Sequence, residues 1–289
     1  MLTAFLVASI APVQATGWKL VQSGILSGLS GMALIQASED SASYLVVHDN
    51  KKVGEARASV LQMKRGKAPE YLPVTWEGSP PVDLEGLTAI PGKPGLYMAL
   101  ASAGPAMVIE FNGVTRNIVI QSSYNLPSLP AKPNLEGISI QMLDDKMIMA
   151  WGHRGELPEL NTFFACAIDA KYLPTGGVTT ASLAIPWPTA AGTRGISDLK
   201  IDASGTVFVS SAADAGNDGP FQSVLYAAGT LSAEADPVKF RASTPSRLFW
   251  TDQHKIEAFD LLPGRTGGII FGTDDENLGG SVWSNFWPD

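Results

Sequence analysis

The sequence predicts an all-β chain folded as a five-bladed β-propeller. Three observations carry this. A short motif recurs five times, each copy is followed by the same succession of turns and apolar strands, and a spare strand precedes the first copy. The motif reads small or polar, Leu or Ile, polar, small, apolar. Its copies are Gly28-Leu29-Ser30-Gly31-Met32, Asp83-Leu84-Glu85-Gly86-Leu87, Asn134-Leu135-Glu136-Gly137-Ile138, Gly195-Ile196-Ser197-Asp198-Leu199 and Lys255-Ile256-Glu257-Ala258-Phe259. By subtraction their second positions lie 55, 51, 61 and 60 residues apart, the length of four short strands with loops.

Each copy opens the innermost strand of a blade. A turn follows in four of them: Pro91–Gly95, Leu143–Lys146, Asp202–Gly205 and Pro263–Gly267, all rich in the residues that punctuate hairpins. Next comes an apolar strand, at Tyr44–Val47, Leu96–Leu100, Met147–Trp151, Val207–Val209 and Ile269–Phe271. A third follows, at Ser59–Met63, Met107–Phe111, Phe163–Ile168, Val224–Tyr226 and Val282–Trp283. The stretch from Leu173 to Thr193 is long enough to hide extra structure, so six blades stand as an alternative, and a β-sandwich is the rival fold. The last copy leaves 33 residues, too few for a blade, and Trp18–Val21 supplies the missing outer strand. Joining both chain ends in one blade removes a free sheet edge.

Composition fits one large domain: 289 residues, 45% hydrophobic and 17% charged. The first fifteen residues read as a secretory signal, with an apolar run from Leu2 to Ile10 and Val13-Gln14-Ala15 as cleavage site; no basic residue precedes Lys19. The expectation is a leader over 1–15, a single propeller over 16–289, and a secreted or periplasmic location. No later stretch spans a membrane. With a net charge of −8 and no basic stripe, nucleic acid is not a partner. The lone Cys166 reads as a buried hydrophobe, and the chain is expected to be a monomer.

Antiparallel pairing puts the start of each inner strand and the end of the next strand on one face, around the channel mouth. There the third motif positions gather Ser30, Glu85, Glu136, Ser197 and Glu257, with Asp198 one position on. The second strands end in His48-Asp49-Asn50, Gly152-His153-Arg154, Asp214 and Asp274-Asp275-Glu276. Clustered carboxylates need a counter-charge. A hard cation such as Ca²⁺ on Glu85, Glu136, Glu257, Asp198, Asp274 and Asp275 would supply it; so would Arg154 and Arg194. The motif glutamates have a structural alternative, accepting backbone hydrogen bonds that lock neighbouring blades. His153 and Arg154 are the catalytic candidates, His153 for acid–base work and Arg154 to clamp an anion. Arg194, Asp49 and Asn50 join Arg154 as substrate-binding candidates. No organic cofactor is expected, and no serine-nucleophile, phosphate-loop or zinc motif is present.

These motifs resemble those of phytase-like and esterase-like propeller proteins, and of a bacterial propeller domain family of unknown function that shares their blade pattern. The carriers are the Glu85 and Glu136 copies, the latter followed by Trp151-Gly152-His153-Arg154, then Arg194 to Leu199, and Lys255-Ile256-Glu257 followed by Asp274-Asp275-Glu276. Two positions depart from that pattern: Ser197 stands where it carries an arginine, and Ala258 where it carries a glycine. The resemblance implies a propeller with a calcium-dependent or phosphoester-related activity. The resulting expectation is a metal-assisted hydrolase of phosphoesters or lactones, taking a small anionic molecule at the mouth. The alternative is a non-catalytic module for a ligand or protein partner, with Trp76, Trp187, Trp250 and Trp287 as candidate contact residues; a third reading is purely structural.

Overall fold

A computed structural model of the chain describes residues 13–14, 17–155, 161–189, 192–262 and 268–285. Five sheets form a closed ring, and every inner strand packs on the inner strands of both neighbouring blades. The inner strands are Gly31–Ala37, Leu84–Ala89, Leu135–Leu143, Thr193–Ile201 and Ile256–Leu261. Among its described residues, the segment 173–193 holds the outer strand of the third blade, Pro174–Ser182, and no sixth blade. The fifth blade is completed by Lys19–Gln22, antiparallel to Gly280–Ser284, as ring closure by the chain ends requires.

Two short parallel strands widen other blades. Thr75–Trp76 leaves the first blade and pairs with the outer strand of the second. Val13–Gln14, expected at the end of a leader, pairs with Phe249–Trp250 on the outer edge of the fourth. Residues 1–12 lie outside the described residues, as does the Pro263–Gly267 turn. Among the described residues no helix is long and apolar enough to cross a membrane.

The recurrence of the motif has a packing cause. Its second position (Leu29, Leu84, Leu135, Ile196, Ile256) and its fifth (Met32, Leu87, Ile138, Leu199, Phe259) are fully buried, because both point into the layers between blades. The fourth position butts against the backbone of the next inner strand. A Cβ on Gly31 would stand 2.8 Å from Leu87 N, one on Gly86 3.0 Å from Ile138 N, and one on Gly137 2.5 Å from Leu199 N. At these three positions glycine is needed because only a residue without a Cβ lets the next inner strand approach so closely.

The fifth blade carries Ala258 at this position and the fourth carries Asp198, whose carboxylate is put to use. Asp198 accepts Leu199 N–H and, from the neighbouring fifth blade, Phe259 N–H; both its oxygens lie about 3 Å from Lys200 Nζ. Lys200 also donates to Leu87 O and Ile138 O in the second and third blades. Asp260 in the fifth blade accepts Leu34 N–H from the first. Ser139 and Thr88 accept Ile201 N–H and Ile140 N–H from the blades beside them. Backbone locking, expected of the motif glutamates, falls to these residues.

The outer tryptophans are not a free aromatic patch. Trp76, Trp187 and Trp250 pack against core clusters; Trp287 lies outside the described residues. Cys166 is fully buried, and burial pushes its thiol up to about 12.

Candidate functional site

The register places motif starts and second-strand ends together: Leu135 opposes His153, and Ile256 opposes Thr273. Glu85, Glu136 and Glu257 thus meet Arg154 and Asp274 at one mouth of the channel. Arg154 contacts Glu136 Oε1 at 2.7 Å and lies 3.8 Å from Glu257. It joins the third blade to the fifth. Lys255 is fully buried, with its ammonium 3.5 Å from Glu257, 3.3 Å from Asp274 and 3.6 Å from Asp214, and in contact with Glu276. Burial works against its charge, and Glu257 and Asp274 outweigh that and raise its pKa. Sequence reasoning missed Lys255 because the first motif position was read only as small or polar. A cation preceding a motif glutamate was the available signal.

Two carboxyls receive no such partner. Glu85 is 8% exposed and makes no hydrogen bond or ion pair. Burial first, then Glu136, Glu257 and Asp49, push its pKa well above the usual carboxylate range. Asp49, half-buried on the neighbouring blade, is likewise unpaired and is raised by burial and by Glu257. Glu136 is pushed up to about 8 by burial, with Arg154 pulling against it. Asp274 rises through burial and Glu257, with Lys255 opposing. Asp214 falls below its usual value despite its burial, held by Gly216 N–H and Arg194.

The remaining candidates are each engaged with other protein groups. His153 is buried, its Nε2 3.3 Å from Lys132 O, inside the third blade. Asn50 is buried and donates to Leu26 O and Ala56 O. Arg194 pairs with Asp214 at 2.8 Å. Asp198 sits below the mouth in the blade lock. It follows a bulge between Ile196 and Asp198, which breaks the regular alternation of the strand and re-aims the side chain. Asp275 accepts Lys255 N–H, Thr273 O–H and His254 Nδ1–H, the last at 2.6 Å. Among the described residues no three His, Cys, Asp or Glu are arranged to hold a metal ion. The Asp214–Gly219 loop is a turn, closed by Gly216 N–H on Asp214 and Gly219 N–H on Gly216 O.

No protein-family model matches the chain, and no curated protein is similar to it in sequence. Its fold is shared with solved structures. An exo-1,5-α-L-arabinanase from a bovine ruminal metagenomic library aligns over 91% of this chain and 94% of its own, at TM-score 0.52 and 8% identity. The Bacillus subtilis arabinanase Arb43A aligns over 94% and 99%, at TM-score 0.50 and 10% identity. A glycoside hydrolase aligns over 91% of this chain and 61% of its own, at TM-score 0.53 and 10% identity. Identities this low show a common five-bladed propeller and nothing finer.

Proposed function

We propose that the chain is a hydrolase of glycosides, working by carboxyl acid–base chemistry at the channel mouth. Glu85 carries the reading. It is a buried carboxyl without a protein partner, its pKa pushed well above the usual carboxylate range by burial and then by Glu136 and Glu257, and at the same mouth the carboxylate Glu257 lies between two cations. Glycoside hydrolysis needs that asymmetry, an acid for the leaving oxygen and a carboxylate for water. Glu85 gives its proton to the glycosidic oxygen as the bond from the anomeric carbon to that oxygen breaks. A water attacks the anomeric carbon and loses its proton to Glu257. Arg154 and Lys255 hold Glu257 in place. The glycoside hydrolases that share the fold support this choice of bond.

The phosphoester and lactone reading fits less well. Carboxyls outnumber cations at the mouth, and Arg154, Arg194 and Lys255 are all engaged with carboxylates. A phosphate dianion would meet repulsion with no unengaged partner; a neutral glycoside does not. Calcium has no part in the reading either. The Lys255 ammonium already stands among Asp214, Glu257, Asp274 and Glu276, where a hard cation would take its oxygen ligands.

The test is a panel of chromogenic aryl glycosides, with Glu85→Gln and Glu257→Gln as variants. Wild type should turn over at least one glycoside, and each variant should lose activity by about 10²–10⁴-fold while keeping its thermal transition. For wild type, kcat/KM should fall on the alkaline side as Glu85 loses its proton. Activity retained in Glu85→Gln, or no turnover of any glycoside, overturns the proposal.

A further inference from the structure

Around the mouth, the large aliphatic side chains exposed among the described residues cluster on one side. Ile25 and Leu26 are each 48% exposed, Leu278 54%, Val82 50%, and Val53 is fully exposed. They belong to the fifth, first and second blades, the arc from the blade of Glu257 to the blade of Glu85. Among the described residues, the other exposed large aliphatics lie on the outer strand at Leu20 or on the opposite face, at Val114, Met142 and Leu173. Isolated exposed aliphatics need no explanation; a group of them on loops tied to one another beside a site does.

This arc is built. Asn50, buried behind it, donates to Leu26 O at 3.1 Å and Ala56 O at 2.8 Å. Arg57, 4% exposed, donates to Lys52 O, Glu55 O and Pro81 O at 2.7, 3.0 and 3.1 Å. Two buried polar side chains thus tie down the backbone beside Leu26, on both sides of Val53, and next to Val82. The turn at Ile25–Ser27 packs on the turn at Glu276–Leu278, and Leu278 N–H is held by Asp275 O. The arc runs straight into the carboxyl site: Gly28 lies against Asp274, and Asp49 adjoins Asn50. Rigid aliphatics beside a buried, unpartnered carboxyl complement a neutral apolar group, whose arrival would further exclude water from Glu85.

We propose that this arc is the subsite for an apolar aglycone, so that the substrates are glycosides of long alkyl, acyl or aromatic alcohols. The inference rests on the glycoside reading. In that chemistry the aglycone is bonded to the oxygen that Glu85 protonates, so it must lie beside Glu85, where the arc ends at Val53 and Val82.

The experiment is calorimetric titration of methyl, hexyl and octyl β-glucosides and of hexyl and octyl phosphocholine, all below their micelle concentrations. It uses wild type and the surface double variant Leu26→Ser/Leu278→Ser, with Val53→Ser as a milder second variant, alongside cleavage of the aryl glycoside panel. Wild type should bind octyl glucoside at least about tenfold more tightly than methyl glucoside. The double variant should lose most of that gain, and Val53→Ser part of it, with thermal transitions unchanged. Equal affinity across chain lengths, or a gain that survives in both variants, overturns the subsite. Cleavage of glycosides without preference for apolar aglycones overturns the subsite and leaves the glycoside reading standing. A tail-length gain for both head groups, lost in the variants, with no glycoside cleaved, retains the apolar subsite and overturns the glycoside reading. Concentration-dependent dimerisation of wild type, abolished in the double variant, assigns the arc to a second copy of the chain and overturns the proposal.

Discussion

At the mouth, burial and charge compete residue by residue, and the outcome sets how stability answers to pH. Glu136 titrates near 8 in the folded chain, and Asp198 and Asp260 near 6, all raised by burial. A carboxyl raised on folding costs nothing below its unfolded pKa. The cost grows as pH rises from about 4, because the unfolded chain ionises first, and it is complete above the folded value. His48 works in the opposite direction. Its Nδ1–H donates to Gly28 O and its Nε2 faces Ser59, and complete burial lowers it to about 4. It destabilises only as pH falls from 6.5 towards 4. The raised carboxyls outnumber this one histidine, so the melting temperature should be higher near pH 5 than at pH 8. Glu136→Gln should flatten that decline between about pH 4.5 and 8, whatever constant offset the unpaired Arg154 adds. Thermal melts across pH read both; a wild-type curve flat from pH 5 to 8 contradicts the expectation.

At the level of the strand, the motif is a steric device before it is a chemical one. Its apolar positions fill the layers between blades, its fourth position admits the next strand, and its third is left to face the mouth. Gly137 meets the tightest form of this demand, with φ at +74° and Leu199 N and Asp198 in the path of any Cβ. Gly137→Ala should therefore destabilise the protein by about 2–4 kcal/mol, measured by denaturant unfolding. A change under about 0.5 kcal/mol would mean that the strands can part without cost, against the packing described above. In the fourth blade Asp198 is accommodated because its carboxylate bonds the backbone it displaces.

For the molecule as a whole, closure is secured twice. The outer strand Lys19–Gln22 joins the chain ends, and Lys200 ties three blades at the channel. Lys200 is buried, so Lys200→Met leaves Asp198 charged and short of its cation. Stability should drop by about 3 kcal/mol or more, read as a Tm lowered by roughly 6–12 °C. A variant as stable as wild type would show that the blades need no clasp. Such a closed, clasped ring holds the mouth rigid, and that rigidity lets Glu85 remain buried without a partner.

The sequence alone determined the five-bladed ring, the shared last blade and the face on which Glu85, Glu136, Glu257, Arg154 and Asp274 meet. Those follow from repeat spacing and from strand alternation, which are local and repeat in every blade. Tertiary structure decided which charges pair. Lys255 enters the centre of the carboxylates from a position whose type varies among the copies, and Asp198 leaves the mouth for the neighbouring blade. His153 and Asn50 turn inward to backbone carbonyls. Such choices depend on contacts between blades far apart in the chain, where burial cost and partner distance decide, and no single repeat encodes them.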